Sequence, residues 1–163
     1  MQKVVGSNPI SRFTRPADAG VFAARDTAWD MSQEWVELVR GGFEAAKRGD
    51  LAAFDGLVTP DVVMVQPPEV PDAKSYEGWG AIAEAMDDWP NEWEDFRMDL
   101  IEIIDAGGEV AVSVTRQRGR GRGSGIEMDF EVFYVSRGRN GKLARMEMFF
   151  NREQALEAAG LTE

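Results

Sequence analysis

The chain has 163 residues, a formal net charge of −11, and neither cysteine nor histidine. That length predicts one domain with a real core. The missing residues exclude disulfides, thiolate metal sites, most zinc chemistry and every Ser-His-Asp or Cys-His arrangement. Acid–base work would fall to carboxylates, lysine or tyrosine. The negative charge argues against nucleic acid as a partner, and no apolar run approaches the ~20 residues of a membrane span. With no signal-like N-terminus, the expected location is cytoplasmic. No metal and no cofactor are expected.

Residues 1–31 are broken by Gly6, Pro9, Pro16 and Gly20 and show no sustained periodicity. They read as an extended or poorly ordered arm, or as one that packs on a partner subunit. Met31 offers an alternative start. The domain proper is expected over 32–163. Its first helix is "SQEWVELVRGGFEAAKRGD", with Trp35, Leu38, Val39, Phe43 and Ala46 on one face, Ser32 as N-cap and Gly49 as the stop. Gly41 and Gly42 inside it cost about 1 kcal/mol each against alanine; a close neighbour, a ligand or a kink would account for them. Asp50 is expected to cap a short helix, "LAAFDGLV".

"DVVMVQPP" (61–68) is β-branched and ends in two prolines, so it reads as a short strand, and "EVPDAKSYEG" as a loop. A helix follows from about Gly78, carrying Ile82, Met86 and Trp89, and Pro90 breaks or kinks it. "NEWEDF" suits a further helical turn. Four strands then alternate with glycine turns: "FRMDLIEIID", "VAVSVTRQR", "IEMDFEVFYV" and "KLARMEMFF". "REQALEAAGL" closes the chain as a short helix. Helices first and an antiparallel meander afterwards make an α+β fold.

The run "RQRGRGRGSG" (116–125) places Arg116, Arg118, Arg120 and Arg122 among glycines. Its glycine spacing does not fit a dinucleotide fingerprint, and a strand rather than a helix follows. No aromatic residue interleaves the arginines to stack on bases. It reads as a hairpin tip with charged edge protection. Period two assigns inner faces: Val110, Val112, Val114 and Arg116; Ile126, Met128, Phe130, Val132 and Tyr134; Ala144, Met146, Met148 and Phe150. The opposite faces, with Glu127, Asp129, Glu131, Arg145, Glu147, Phe133 and Phe149, suit solvent or a sheet-to-sheet dimer contact.

"FEAAKRGDLAAFDGLVTPDVVMVQPP", "YEGWGAIAEAM", "NGKLARMEMFF" and "REQALEAAGL" together resemble the SnoaL-like branch of the nuclear transport factor 2-like superfamily, which includes ketosteroid isomerases and polyketide cyclases. The resemblance covers about residues 32–161. It implies a cone-shaped, curved antiparallel sheet wrapped around N-terminal helices, an apolar pocket inside the cone, and a homodimer. The catalytic patterns do not carry over intact. The isomerase base position falls on Gln66, before Pro67; the oxyanion tyrosine falls on Gly42; the second acid falls near Glu131 or Val132. The histidine that cyclases of this branch pair with a carboxylate is absent. The Asp-Arg-Asp cluster of epoxide hydrolases of this fold maps to Val114, Arg116 and Met148.

The expected function is therefore binding of a small hydrophobic molecule. Arg116, Gln66 and Tyr134 are the polar anchors, Arg116 facing a ligand carboxylate or carbonyl. Trp35, Trp79, Trp89, Met128, Phe130, Met146, Met148 and Phe150 form the apolar lining. One alternative is an isomerase, cyclase or hydrolase acting on a hydrophobic carbonyl or a polyketide- or terpenoid-type substrate, with Glu131 or Asp129 as the acid or base. Another is a non-catalytic dimeric interaction module.

Overall fold

The computed structural model describes residues 3–5 and 23–161, with side chains from residue 30 onward. The elements are strand β1 (Lys3–Val5), helix α1 (Ala23–Lys47), a 3-10 turn (Leu51–Phe54), strands β2 (Val58–Val65) and β3 (Ser75–Glu77), helix α2 (Trp79–Asn91), strands β4 (Trp93–Asp105), β5 (Val110–Gly121), β6 (Glu127–Arg139) and β7 (Lys142–Phe149), and helix α3 (Arg152–Ala158). They build one curved, open sheet in the order β1-β4-β5-β6-β7-β2-β3. No helix among the described residues is long and apolar enough to cross a membrane.

The antiparallel meander expected from the glycine turns is β4 to β7. The sheet as a whole is mixed, because β2 runs parallel to β7 and the loop after it contributes β3. Register shifts interrupt β4 between Glu94 and Arg97 and between Leu100 and Glu102. Asp95, at φ 53°, sits in the first of them. Such bulges bend a strand and increase its twist, which helps the sheet to curl around α1 and α2.

Several boundaries differ from expectation. Helix α1 starts at Ala23 rather than Ser32, so it runs through the last part of the expected arm. Lys3–Val5 pairs with β4, and residues 6–22 lie outside the described residues. Ser32 is not a cap: it is buried within α1, and its hydroxyl donates to Asp105 at the end of β4. A helix-to-sheet tie fixes this serine, not a helix end. Asp50 makes no side-chain cap bond, and only one 3-10 turn follows it. "NEWEDF" is extended from Trp93 onward. Pro90 sits in the last turn of α2, where the helix is ending anyway.

The sheet carries a core on each face. On the concave face, Trp35, Val36 and Val39 of α1 and Ile82 of α2 pack with Val62, Met64, Ile103, Ala111 and Leu143. On the other face, α3 lays Ala155 and Leu156 over Ile104, Val112, Val114, Phe133 and Val135. Asn151 caps α3, its Oδ1 accepting the Gln154 N–H at 3.0 Å.

This second core overturns the inner face assigned to β5. Val112, Val114 and Arg116 point to the α3 side, and Ala111, Ser113, Thr115 and Gln117 face α1 and α2. The ladder sets Ser113 opposite Tyr134, Thr115 opposite Val132 and Gln117 opposite Phe130. The apolar rule chose the wrong face because α3 supplies a second apolar environment. Phe133 and Phe149 on that side are likewise covered by α3.

Candidate functional site

Between the concave face and the two long helices lies a cavity of about 1210 Å³. Its walls combine Leu38 and Phe43 of α1, Trp79 and Met86 of α2, and Met146 and Met148 of β7. The ring of Phe54, from the 3-10 turn, stacks on Trp79 with centroids 4.5 Å apart. Gly42 has a packing reason: a Cβ there would stand 3.4 Å from the Phe54 ring. Gly41 has no such neighbour.

Of the residues expected at the site, Gln66, Trp79, Trp89, Phe130, Tyr134, Met146, Met148 and Phe150 border this cavity. Phe130 and Phe150 meet edge-to-face at 5.6 Å and are partly exposed. Gln66 spends its side-chain oxygen on the Lys74 backbone N–H at 3.3 Å, closing the base of the loop between β2 and β3.

The others are elsewhere. Arg116 is on the opposite face, its guanidinium donating twice to Asp129, at 2.8 Å each. That pairing raises the Arg116 pKa and holds the Asp129 carboxyl below the usual range. Glu131, directly opposite Arg116 in the ladder, shares that face. Neither proposed carboxylate therefore faces the cavity, because each alternates with the inward Phe130 and Val132 of β6. Trp35 is core, 2% exposed, with its ring over Gly138. Met128 is buried opposite Gly119, one step along β6 from the cavity wall.

The polar heart of the cavity is Gln117, which the arginines on either side of it obscured in the sequence. It is 2% exposed and belongs to a connected chain. The Trp89 indole N–H donates to Gln117 Oε1 at 3.0 Å. Gln117 Nε2 donates to the Tyr134 hydroxyl at 2.9 Å, and approaches Thr115 Oγ1 at 3.4 Å. Thr115 in turn donates to the Val132 carbonyl at 2.9 Å. An indole can only donate, so the amide oxygen of Gln117 must face Trp89 and its NH₂ must face Tyr134. Burial pushes the Tyr134 pKa up to about 12, so the phenol keeps its proton at neutral pH.

At the cavity edge, Asp99 accepts from Arg118 at 2.9 Å and lies 3.6 Å from Lys47. The Arg118 hydrogen bond holds its carboxyl below the usual range. The remaining arginines of the "RGRG" run are also engaged: Arg120 pairs with Glu127, and Arg122 donates to the Asn91 carbonyl. The run is the end of β5 and the hairpin tip, with Gly123 and Gly125 at φ 83° and 69°. Among the described residues no cluster of three or more carboxylates is placed to hold a metal ion.

The SnoaL-like domain family matches residues 39–146, more than half of the chain. No curated protein matches the sequence. Among solved structures, an NTF2-like protein from Burkholderia thailandensis is 24% identical, with a TM-score of 0.65 over 80% of this chain and 97% of its own. A protein from Jannaschia sp. CCS1 named for its likeness to SnoaL-like polyketide cyclases is 16% identical, with a TM-score of 0.63 over 82% and 95%. TerC, co-crystallised with polyporic acid, is 19% identical, with a TM-score of 0.60 over 78% and 98%. At these identities the likeness is one of fold.

Proposed function

The chain belongs to the SnoaL-like family, and on that premise we propose that it binds an apolar small molecule in the cavity between the concave face and helices α1 and α2. The observation that carries this reading is the cavity itself: about 1210 Å³, mostly apolar walls, and one buried polar chain through Gln117. Ligand sites typically enclose about 300–1,000 Å³ with few polar groups among apolar ones, so this volume suits a sizeable ligand. TerC, which shares the fold, was crystallised with polyporic acid, in keeping with such a role. An acid–base enzyme is less well supported, since Asp129 and Glu131 lie on the far face, where Arg116 already engages Asp129.

Native mass spectrometry of gently purified protein tests the proposal. A discrete small apolar molecule carried by the folded chain is the expected result. A ligand-free protein that also ignores a panel of neutral hydrophobic molecules would remove it, and would favour an interaction module instead.

A further inference from the structure

We infer that the Tyr134 hydroxyl donates its proton into the cavity and seats the ligand by a neutral oxygen acceptor, a carbonyl above all, with Gln117 and Trp89 as the residues that aim it. The inference rests on the cavity being a ligand site, and it specifies which end of the ligand enters first.

Donor polarity carries the argument. Trp89 gives its only side-chain hydrogen to Gln117 Oε1, which leaves Gln117 only hydrogens to offer on its other side. Tyr134 therefore accepts from Gln117, and its own hydrogen points elsewhere. Thr115 does not need that hydrogen: it accepts from Gln117 and donates to Val132. One strong donor is thus left over on a residue that borders the cavity. Two positions along the same face of β6, Ser136 also borders the cavity. It is 1% exposed, and its hydroxyl has no hydrogen-bond partner. Buried hydroxyls are seldom left unpaired. One unpaired hydroxyl, Ser136, and one spare donor hydrogen, on Tyr134, along one stretch of cavity floor mark where a ligand's polar end belongs.

The hydrogen-bond partners of this floor are uncharged: an indole, a carboxamide, a threonine hydroxyl and a backbone carbonyl. A carboxylate seated on these groups would lose its hydration against uncharged partners only; the cations that border the cavity, Lys47, Arg48, Lys74 and Arg97, are not among them. A ketone or ester carbonyl loses little and gains the Tyr134 bond. Arg116, the residue that would have argued for an anionic ligand, is on the other side of the sheet.

The test uses three probes of nearly equal shape: tetralin, α-tetralone and tetralin carboxylate, titrated calorimetrically into the full chain. The wild type should bind α-tetralone about three- to tenfold more tightly than tetralin, the range of one net hydrogen bond, and the carboxylate less tightly than the ketone. Tyr134→Phe should bring the ketone-to-hydrocarbon ratio close to one while tetralin affinity stays as it was. Trp89→Phe keeps an aromatic ring but frees the Gln117 amide to turn, so it should lower the same ratio. A merely structural role would weaken both probes together. A ratio preserved in Tyr134→Phe, or a carboxylate bound as tightly as the ketone, overturns the inference while the cavity stands as a binding site. If even tetralin fails to bind the wild type, the binding-site reading itself falls, and this inference with it.

Discussion

Trp35 of α1 occupies the space that a side chain on Gly138 of β6 would need. A Cβ at Gly138 would lie 2.6 Å from Trp35 Cζ3 and 2.7 Å from Cη2, with the Glu109 Cβ a further 3.0 Å contact. The indole cannot withdraw, because it is 2% exposed and enclosed by the core. The glycine thus lets α1 sit close against the concave face at the end away from the β5–β6 hairpin, and this helps set the height of the cavity roof.

Gly138→Ala should therefore destabilise the fold by steric overlap alone, since φ at this position is not in the left-handed region. Overpacking of this kind costs about 1–3 kcal/mol. Urea unfolding should show a lower midpoint with an unchanged slope. A smaller ring in Trp35→Phe should cost less in the Gly138→Ala background than alone, because the two groups compete for one volume. Equal costs in both backgrounds would show that they do not.

Arg116→Ala should leave ligand affinity unchanged. The arginine and Asp129 are each half exposed, on the face opposite the cavity, and exposed ion pairs contribute little to stability. The melting temperature should move only slightly. A clear loss of affinity for a neutral ligand would contradict the placement of Arg116 outside the site.

Tyr134 gives the protein a specific alkaline response. Its folded pKa, about 12, stands above the ordinary 10.0 because burial disfavours the phenolate. The unfolded chain gives up this proton first, so the contribution to stability is complete below pH 10 and is lost as pH rises towards 12. Tyrosinate absorbance should show a late-titrating phase that disappears in Tyr134→Phe. The variant should also lose less stability than the wild type over that interval. An early, unperturbed titration of Tyr134 would place it in water rather than in the cavity wall.

The chain order of helices followed by a glycine-punctuated meander was legible from periodicity and turn residues. So were most inward residues of β6 and β7: Phe130, Val132 and Tyr134 on one strand, Met146 and Met148 on the next; Ile126, however, lies before β6 and is exposed, and Leu143 rather than Ala144 joins the concave core. Each legible feature is a local property, fixed by residue spacing along one segment.

The inward face of β5 was decided only by tertiary structure. Val110, Val112 and Val114 form its more apolar side, yet they face α3, whose Ala155 and Leu156 lie some forty residues further along the chain. The polar side, Ala111, Ser113, Thr115 and Gln117, was left to build the cavity floor. Register sealed the choice: with Gln117 opposite Phe130, odd residues of β5 share a face with even residues of β6. A slip of one residue in the glycine-rich hairpin would have turned Arg116 inward instead. Alternation in the sequence tells which residues of a strand lie together; which side of the sheet they see depends on what the rest of the chain stacks against each face.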